Sequence, residues 1–473
     1  MIALAKRVTN WFSRRRGAHS IVCRYDAAQT DDQNYRYWSG ADALDADSAN
    51  TLAIRKKIRE RARYEFANSC YLRAQVETRT VHEIRTGPAL AVSTDNRNFN
   101  GMVETEWRRW CDDINLVEIL RTLVRARMID GEAFAVLTRR RPRPNIDLSA
   151  VELAVVPVEC DRVTAPDFRM PDSRYIDGVH IDADGTPVAY DILDEHPGST
   201  AIGIPRRYRT WPARYVIHLF RPTRPGQHRG VSELTPALTV LPGVRQYIAA
   251  CIRARVTSAS ITLAVKTDLP PEGEAEDVSP GAVDIPYGSM FQLPAGWEVQ
   301  QIAAQHPDAT GRDFVADRIA EAGRALMLPR NLATGDSSDY NFASGRLDHQ
   351  PYFADIEVAQ TRIEQTVLER VFTEWFMEYT LMLRSQRGYD IQSFPPPRHD
   401  WLWPGQPYTD PESEANAVAT GLKTGATTLV SEYARRGLDY DDQVALQAAA
   451  WGIEPEVLKR VHMEAIFPPP KRE

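Results

Sequence analysis

Apolar residues recur near a 3.6-residue period at Leu52, Ile54, Ile58, Ala62, Phe66 and Cys70. That spacing predicts an amphipathic helix from about Asp47 to Tyr71, with Asp47 or Ser48 as its cap. A second helical block runs from Val103 to Met128, with Trp107, Trp110, Ile114, Val117, Leu120 and Val124 on one side, and Gly131 ends it. Between these blocks, residues 76–92 are rich in β-branched side chains and read as extended. Short runs in EAFAVLTRR, VELAVVPVE, VHIDADGTPVAYDIL and ARYVIHLF are separated by turn signals such as Asp184-Gly185. They predict a β-rich module over about 130–220.

Beyond Gly230 the helical period returns. Leu234, Leu238, Leu241, Ile248, Ile252 and Val256 mark a long amphipathic helix that Pro242-Gly243 should kink or interrupt. A Pro/Gly-rich stretch comes next, with short strands expected in GSMFQLP and WEVQQI. Phe314, Val315, Ile319, Ala322 and Leu326 then share one face of a further helix. The segment Arg330–Arg346 is polar and rich in turn residues, so a mobile loop is expected there. The longest apolar period spans about Pro351 to Leu383. As one helix it would be about 50 Å long, with Pro351 in the first turn. Shorter helical patterns close the chain. Residues 1–50 look irregular, but Tyr35, Tyr37 and Trp38 mark a segment that docks.

The length of 473 residues allows about two to four packed units. With 43% hydrophobic and 26% charged residues, wholesale disorder is excluded. No run approaches the ~20 apolar residues of a membrane span, and the N-terminal apolar pieces are too short for a secretory signal. The formal charge of −7, from 57 basic and 64 acidic residues, argues against tight non-specific grip on nucleic acid. The basic clusters Lys6, Arg7, Arg14–Arg16 and Arg139–Arg141 with Arg143 read as solvated stretches.

Catalytic signatures are missing. There is no GxxxxGK[ST], GxGxxG, GxSxG or HExxH. His82-Glu83 lacks a second histidine, and His218 lies alone in an apolar strand. The five cysteines are scattered, without CxxC, and read as core residues rather than as a disulfide framework or zinc site. The pattern yields no catalytic residue, metal or cofactor. The distinctive feature is a pair of helices flanking a compact insert, then a polar loop and a very long helix.

Several segments, in order, resemble the phage portal proteins of the lambda family. They are RERARYEFANS, FNGMVETEWRRWCDD with LVRARMIDGEAFAVL, VPVECDRV with IDGVHIDADGTPVAYDIL, WPARYVIHLFRPTRPGQHRGVSELTPAL, and ALMLPRNLATGDSSDYNFASGRL. The resemblance covers roughly residues 35–385. It implies an α+β portal fold with a wing (1–235), two stem helices (236–260 and 311–328) and a small α/β clip (261–310). A tunnel loop (329–346), a long helix with wing return (347–409) and a helical crown (410–473) would complete it. It further implies a ring of twelve at one capsid vertex of the virion, assembled in the host cytoplasm. Double-stranded DNA would pass through it, without sequence specificity, in packaging and ejection.

Implied partners are the terminase large subunit, a head-completion or adaptor protein, and the major capsid protein with its scaffold. No membrane is involved, no cofactor is expected, and the family carries no ATPase. The DNA-facing residues would be Arg330, Asn331, Thr334, Asp336, Ser337, Asp339, Asn341 and Arg346. Arg330 and Arg346 would be the strong phosphate partners, offset by Asp336 and Asp339. A clip docking surface would use Glu272, Glu274, Glu276 and Asp277. From the residues alone, a soluble enzyme or binding module with an unrecognised site, or a monomeric adaptor, also remains open.

Overall fold

A computed structural model describes residues 26–28, 32, 34–140, 149–166, 172, 174–200, 207–259, 263–267, 297–301, 308–338, 340–387, 395–405 and 411–467. The chain divides into two units, Met1–Ala49 and Asn50–Glu473. In the first, Asp26–Ala28 form a 3-10 turn, and Tyr35, Tyr37 and Trp38 are exposed, Tyr37 by 83%.

The second unit opens with helices α1 (Leu52–Asn68) and α2 (Cys70–Ile84). Strand β1 (Ala89–Val92), helices α3 (Arg97–Ile114) and α4 (Leu116–Asp130), and strands β2 (Glu132–Arg139) and β3 (Leu153–Val158) continue the chain. Next come β4 (Tyr175–Ile176), β5 (Val179–Ile181), β6 (Pro187–Leu193), β7 (Tyr208–Pro212) and β8 (Val216–Phe220). Helix α5 (Ala237–Ala259) leads to strands β9 (Leu263–Thr267) and β10 (Trp297–Gln301) and to helix α6 (Asp308–Gly323). A short α7 (Arg330–Thr334) precedes α8 (Phe342–Ile363), which runs through a π-helical turn at Glu364–Leu368 into α9 (Glu369–Arg387). Strand β11 (His399–Leu402) and helices α10 (Pro411–Thr424), α11 (Leu429–Arg435), α12 (Tyr440–Trp451) and α13 (Pro455–Ile466) end the described chain.

All strand pairs are antiparallel, in sheets ordered β3-β2-β8, β4-β5-β6-β7, β1-β11 and β10-β9. Strands β2 to β8 fall between Glu132 and Phe220. Several expectations fail. Residues 76–84 are helical because Val76, Thr80 and Glu83-Ile84 share the buried face of α2, and Ser69 caps its start on Leu72 N–H. Tertiary burial thus overrides the local preference of β-branched residues. The helical block 103–128 is split at Asn115, whose φ of 54° lies in the left-handed region that asparagine tolerates. Pro351 lies well inside α8, because Asn341 and Ser344 form a reciprocal cap that starts the helix earlier. Pro242 likewise sits inside α5 without ending it. Among the cysteines, Cys160 is buried but Cys70 is exposed, against the core reading.

The main core joins α2, α3 and α4 to α8 and α9. Trp107 packs edge-on to Trp375 at 5.2 Å between centroids, and Trp375 stacks on Phe372. Buried indoles need partners for their N–H, and Trp110 Nε1 donates to the Leu153 carbonyl at 3.0 Å.

Two buried ionic clusters cross the fold. Glu132, at the start of β2, accepts from Arg229 Nη2 at 2.6 Å, from the Gly230 amide at 2.9 Å, and from Arg59 and His218. Arg229 Nη1 also reaches Asp177 Oδ2 at 3.1 Å. Close approach makes this possible: a Cβ on Gly230 would fall 2.1 Å from the Gly131 carbonyl oxygen, so only glycine fits. In the second cluster, Glu83 Oε1 accepts from Arg79 at 2.6 Å and Arg127 at 2.9 Å.

These clusters set the acid response. Burial raises the Glu132 and Glu83 carboxyls, but the adjacent arginines outweigh it and hold both below the usual carboxylate range. Burial pushes the His82 and His218 imidazoles down, so both stay neutral. Depressed folded-state values give one sign for both types. Stability is full at neutral pH, begins to fall below about 6.5 as the histidines must take up protons, and falls further below about 4.3. Melting temperature measured from pH 8 to pH 2 is expected to decline in those two stages; a flat profile would contradict it.

Candidate functional site at the α6–α8 junction

The polar segment predicted to face DNA is built in three pieces. Helix α6 ends at Gly323, a 3-10 turn covers Arg324–Leu326, and Met327 turns the chain at a φ of 58°. Leu328 is fully buried and anchors the start of the next piece. Pro329 precedes α7, where its fixed φ suits a helix start, and Gly335, at a φ of 72°, stops α7 in the left-handed conformation. An exposed turn over 335–338 then leads to Asn341. Asn341 Oδ1 accepts from Ser344 N–H at 2.8 Å and opens α8.

This arrangement corrects the expectation of a mobile loop. Arg330, Asn331 and Thr334 are helical, and Thr334 Oγ1 donates to the Arg330 carbonyl at 2.8 Å. Arg330 Nη1 donates to Asp317 Oδ1 of α6 at 2.8 Å, so it is not a solitary cation. Asn331 Oδ1 lies 3.0 Å from His349 Nε2 on α8. Asp336 Oδ1 accepts from Ser338 N–H at 3.0 Å, and its Oδ2 lies 3.2 Å from Arg312 Nη2. Those serine and arginine contacts hold the Asp336 carboxyl below its ordinary value. Asp336 and Ser337 are exposed on the turn, and Arg346 is exposed on the first turns of α8. Asp339 lies outside the described residues, as do Glu272, Glu274, Glu276 and Asp277 of the acidic stretch and the strand expected in GSMFQLP.

Sequence reasoning missed three neighbours of this segment: Arg312, Asp317 and His349. Spacing along the chain gave no sign of them, because α6 meets α7 only after the reversal at Met327. An open cleft beside α7 is lined by Asp317, Arg324, Pro329, Arg330, Leu347 and Asp348. The chemistry here is electrostatic. Two exposed arginines, Arg312 and Arg330, each face one carboxylate across the α6–α7 junction. The arrangement offers hydrogen-bonding surface on which Arg312 and Arg330 are each offset by a carboxylate.

The family model for phage portal proteins of the lambda family matches residues 35–360. The chain belongs to that family. Its members are structural, non-enzymatic components of the virion. The match runs from the aromatic segment at Tyr35 through the β-rich module, α5–α7 and most of α8, and so contains the α6–α8 junction. Comparison with curated proteins finds no match. Among solved structures, the virion of a native gene transfer agent particle contains a similar chain at 16% identity and a TM-score of 0.42, covering 80% of this chain and 92% of that one. The neck of the native gene transfer agent particle, computed with C12 symmetry, contains another at 15% identity and 0.42, covering 82% and 94%. Family membership rests on the family model.

Proposed function

We propose that this chain forms the portal ring at the unique vertex of a phage capsid, the conduit for double-stranded DNA in packaging and ejection. The observation that carries the proposal is the family match over residues 35–360. Twelve copies would form the ring, assembled in the host cytoplasm and retained in the virion. The wing (1–235) would meet the major capsid protein and scaffold. The stem is assigned to 236–260 and 311–328, and the long helix with wing return to 347–409. The crown is assigned to 410–473. The clip (261–310), through Glu272, Glu274, Glu276 and Asp277, would dock the terminase large subunit and then the head-completion protein. The tunnel segment (329–346) would face DNA through Asn331, Thr334, Asp336, Ser337, Asp339 and Asn341, with Arg330 and Arg346 at its ends.

Surface chemistry supports a ring. Ile252 and Val256 of α5 are 58% and 62% exposed, and Phe314 of α6 is 48% exposed. In a ring these side chains would be covered by neighbouring copies. Among the described residues, no helix is long and apolar enough to cross a membrane. Mass photometry of the purified protein at micromolar concentration and low salt is expected to show a single high-order species near twelve subunits. Only monomer and dimer across salt and concentration would refute the assembly.

A further inference from the structure

Helix α2 holds the proposed DNA-facing segment from behind, chiefly through Gln75. Gln75 is 1% exposed. Its Nε2 donates to two backbone carbonyls, Ile319 of α6 at 3.0 Å and Ala333 of α7 at 3.1 Å. The Ala333 carbonyl is one of the last in a helix and has no partner within that helix. Helix α7 is five residues long, too short to persist without external contacts. The junction is tight: a Cβ on Gly323 would lie 2.5 Å from Ala333 Cβ and 3.2 Å from Gln75 Nε2.

One helical turn along α2, Arg79 strengthens the same hold. It donates to the Leu326 carbonyl at 3.4 Å and to Asp355 of α8 at 2.5 Å. Arg79 also belongs to the buried Glu83 cluster. Gln75, by contrast, makes its two bonds only to the pieces flanking the turn at Met327.

We infer that Gln75 is a positioning residue: its amide sets α7 against the end of α6 and thereby fixes where Asn331, Thr334 and Asp336 stand. The functional consequence rests on the reading of 329–346 as the channel face, whereas the hold itself does not. The measurement is hydrogen–deuterium exchange on the assembled full-length protein, wild type against Gln75→Leu. Leucine keeps the bulk and removes both donors, leaving the Ala333 carbonyl buried without a partner. The Ala333 and Gly335 amides, which donate to Pro329 and Asn331 carbonyls within α7, are expected to exchange about tenfold faster, with β2 and α4 unchanged.

Unchanged exchange at α7, or equal acceleration throughout the fold, would overturn the inference. If Gln75→Leu does not assemble, Gln75→Asn serves. It keeps the buried amide but is one methylene too short to reach both carbonyls, and the same α7-specific acceleration is required of it. DNA content of particles carrying the variant tests the other reading separately. Faster α7 exchange with wild-type DNA content would keep the positioning role and remove the channel-face assignment.

Discussion

Replacing Glu132 by alanine is expected to lower the unfolding free energy by about 3–5 kcal/mol, among the largest effects available to a single substitution in this fold. The carboxylate is fully buried and accepts from Arg229, Arg59, His218 and the Gly230 amide. Alanine removes a charge that several buried groups were built around. Arg229, itself 1% exposed, would keep only Asp177 as an ionic partner. The cost is the desolvation of a cation left short of negative charge, more than the loss of the bonds as such.

The double replacement Glu132→Leu with Arg229→Met is expected to recover a substantial part of that loss, because it removes the charge together with its counter-charge. Arg59 would keep Asp161 at 2.8 Å, and Asp177 would keep Arg55. Chemical denaturation of wild type, the single variant and the double variant measures both numbers. A single variant within about 1 kcal/mol of wild type would show the cluster is not what joins β2 to the link before α5.

The same cluster shows what the sequence could and could not reveal. Period and turn chemistry marked β2, β3, β5, β6 and β8, and three of the four C-terminal helices, α10, α11 and α12, because each has its own alternating or helical pattern, whereas α13 lies where a Pro-rich tail was expected. They also marked the two helices α5 and α6. The ionic clusters were not legible. Arg59, Glu132, Asp177 and Arg229 look like ordinary surface charges in a linear reading, and only the approach of Gly230 to Gly131 brings them together. Helix α2 was read as extended for a related reason. Thr78, Thr80 and Val81 favour a strand locally, while burial of Leu72, Val76 and Ile84 against the helical core decides the outcome.

The candidate site was half legible. Composition marked 330–346 as polar and turn-rich, but the Asn341 and Ser344 cap that starts α8 was not recognised, and the helix was expected to begin at Pro351. That Arg330 and Asp336 are paired, and that Gln75 and His349 hold α7, depends on long-range packing with no signal in spacing. The Pro329 start and the Gly335 stop are both visible in the sequence, but a five-residue helix between them has too little period to register.

Exchanging Asp336 and Asp339 for lysine is expected to leave assembly intact and to cut DNA packaging or slow ejection on the order of tenfold at low salt. Arg312 and Asp336 are 79% and 47% exposed as side chains, so the pair contributes little to stability. Its effect is on the local field. With Asp336 in place, Arg312 faces a carboxylate, and Asp317 does the same for Arg330. On the proposed reading of this segment as the channel face, a passing phosphate would meet cations already offset, and release from each would cost little.

Lysine at 336 would put a second cation beside Arg312 in place of its counter-charge. Lysine at 339 would add another, a shift of about four charge units per subunit. Each newly available cation that neutralises a phosphate releases counterions and adds affinity, so the strand would be held where it must slide. Because these charges are exposed, raising the ionic strength should screen them and restore much of the lost transport. That salt rescue separates a sticky channel from a misfolded subunit, whose defect salt would not repair. Rings of normal mass with wild-type DNA content and ejection at every salt concentration would place this segment away from the DNA path.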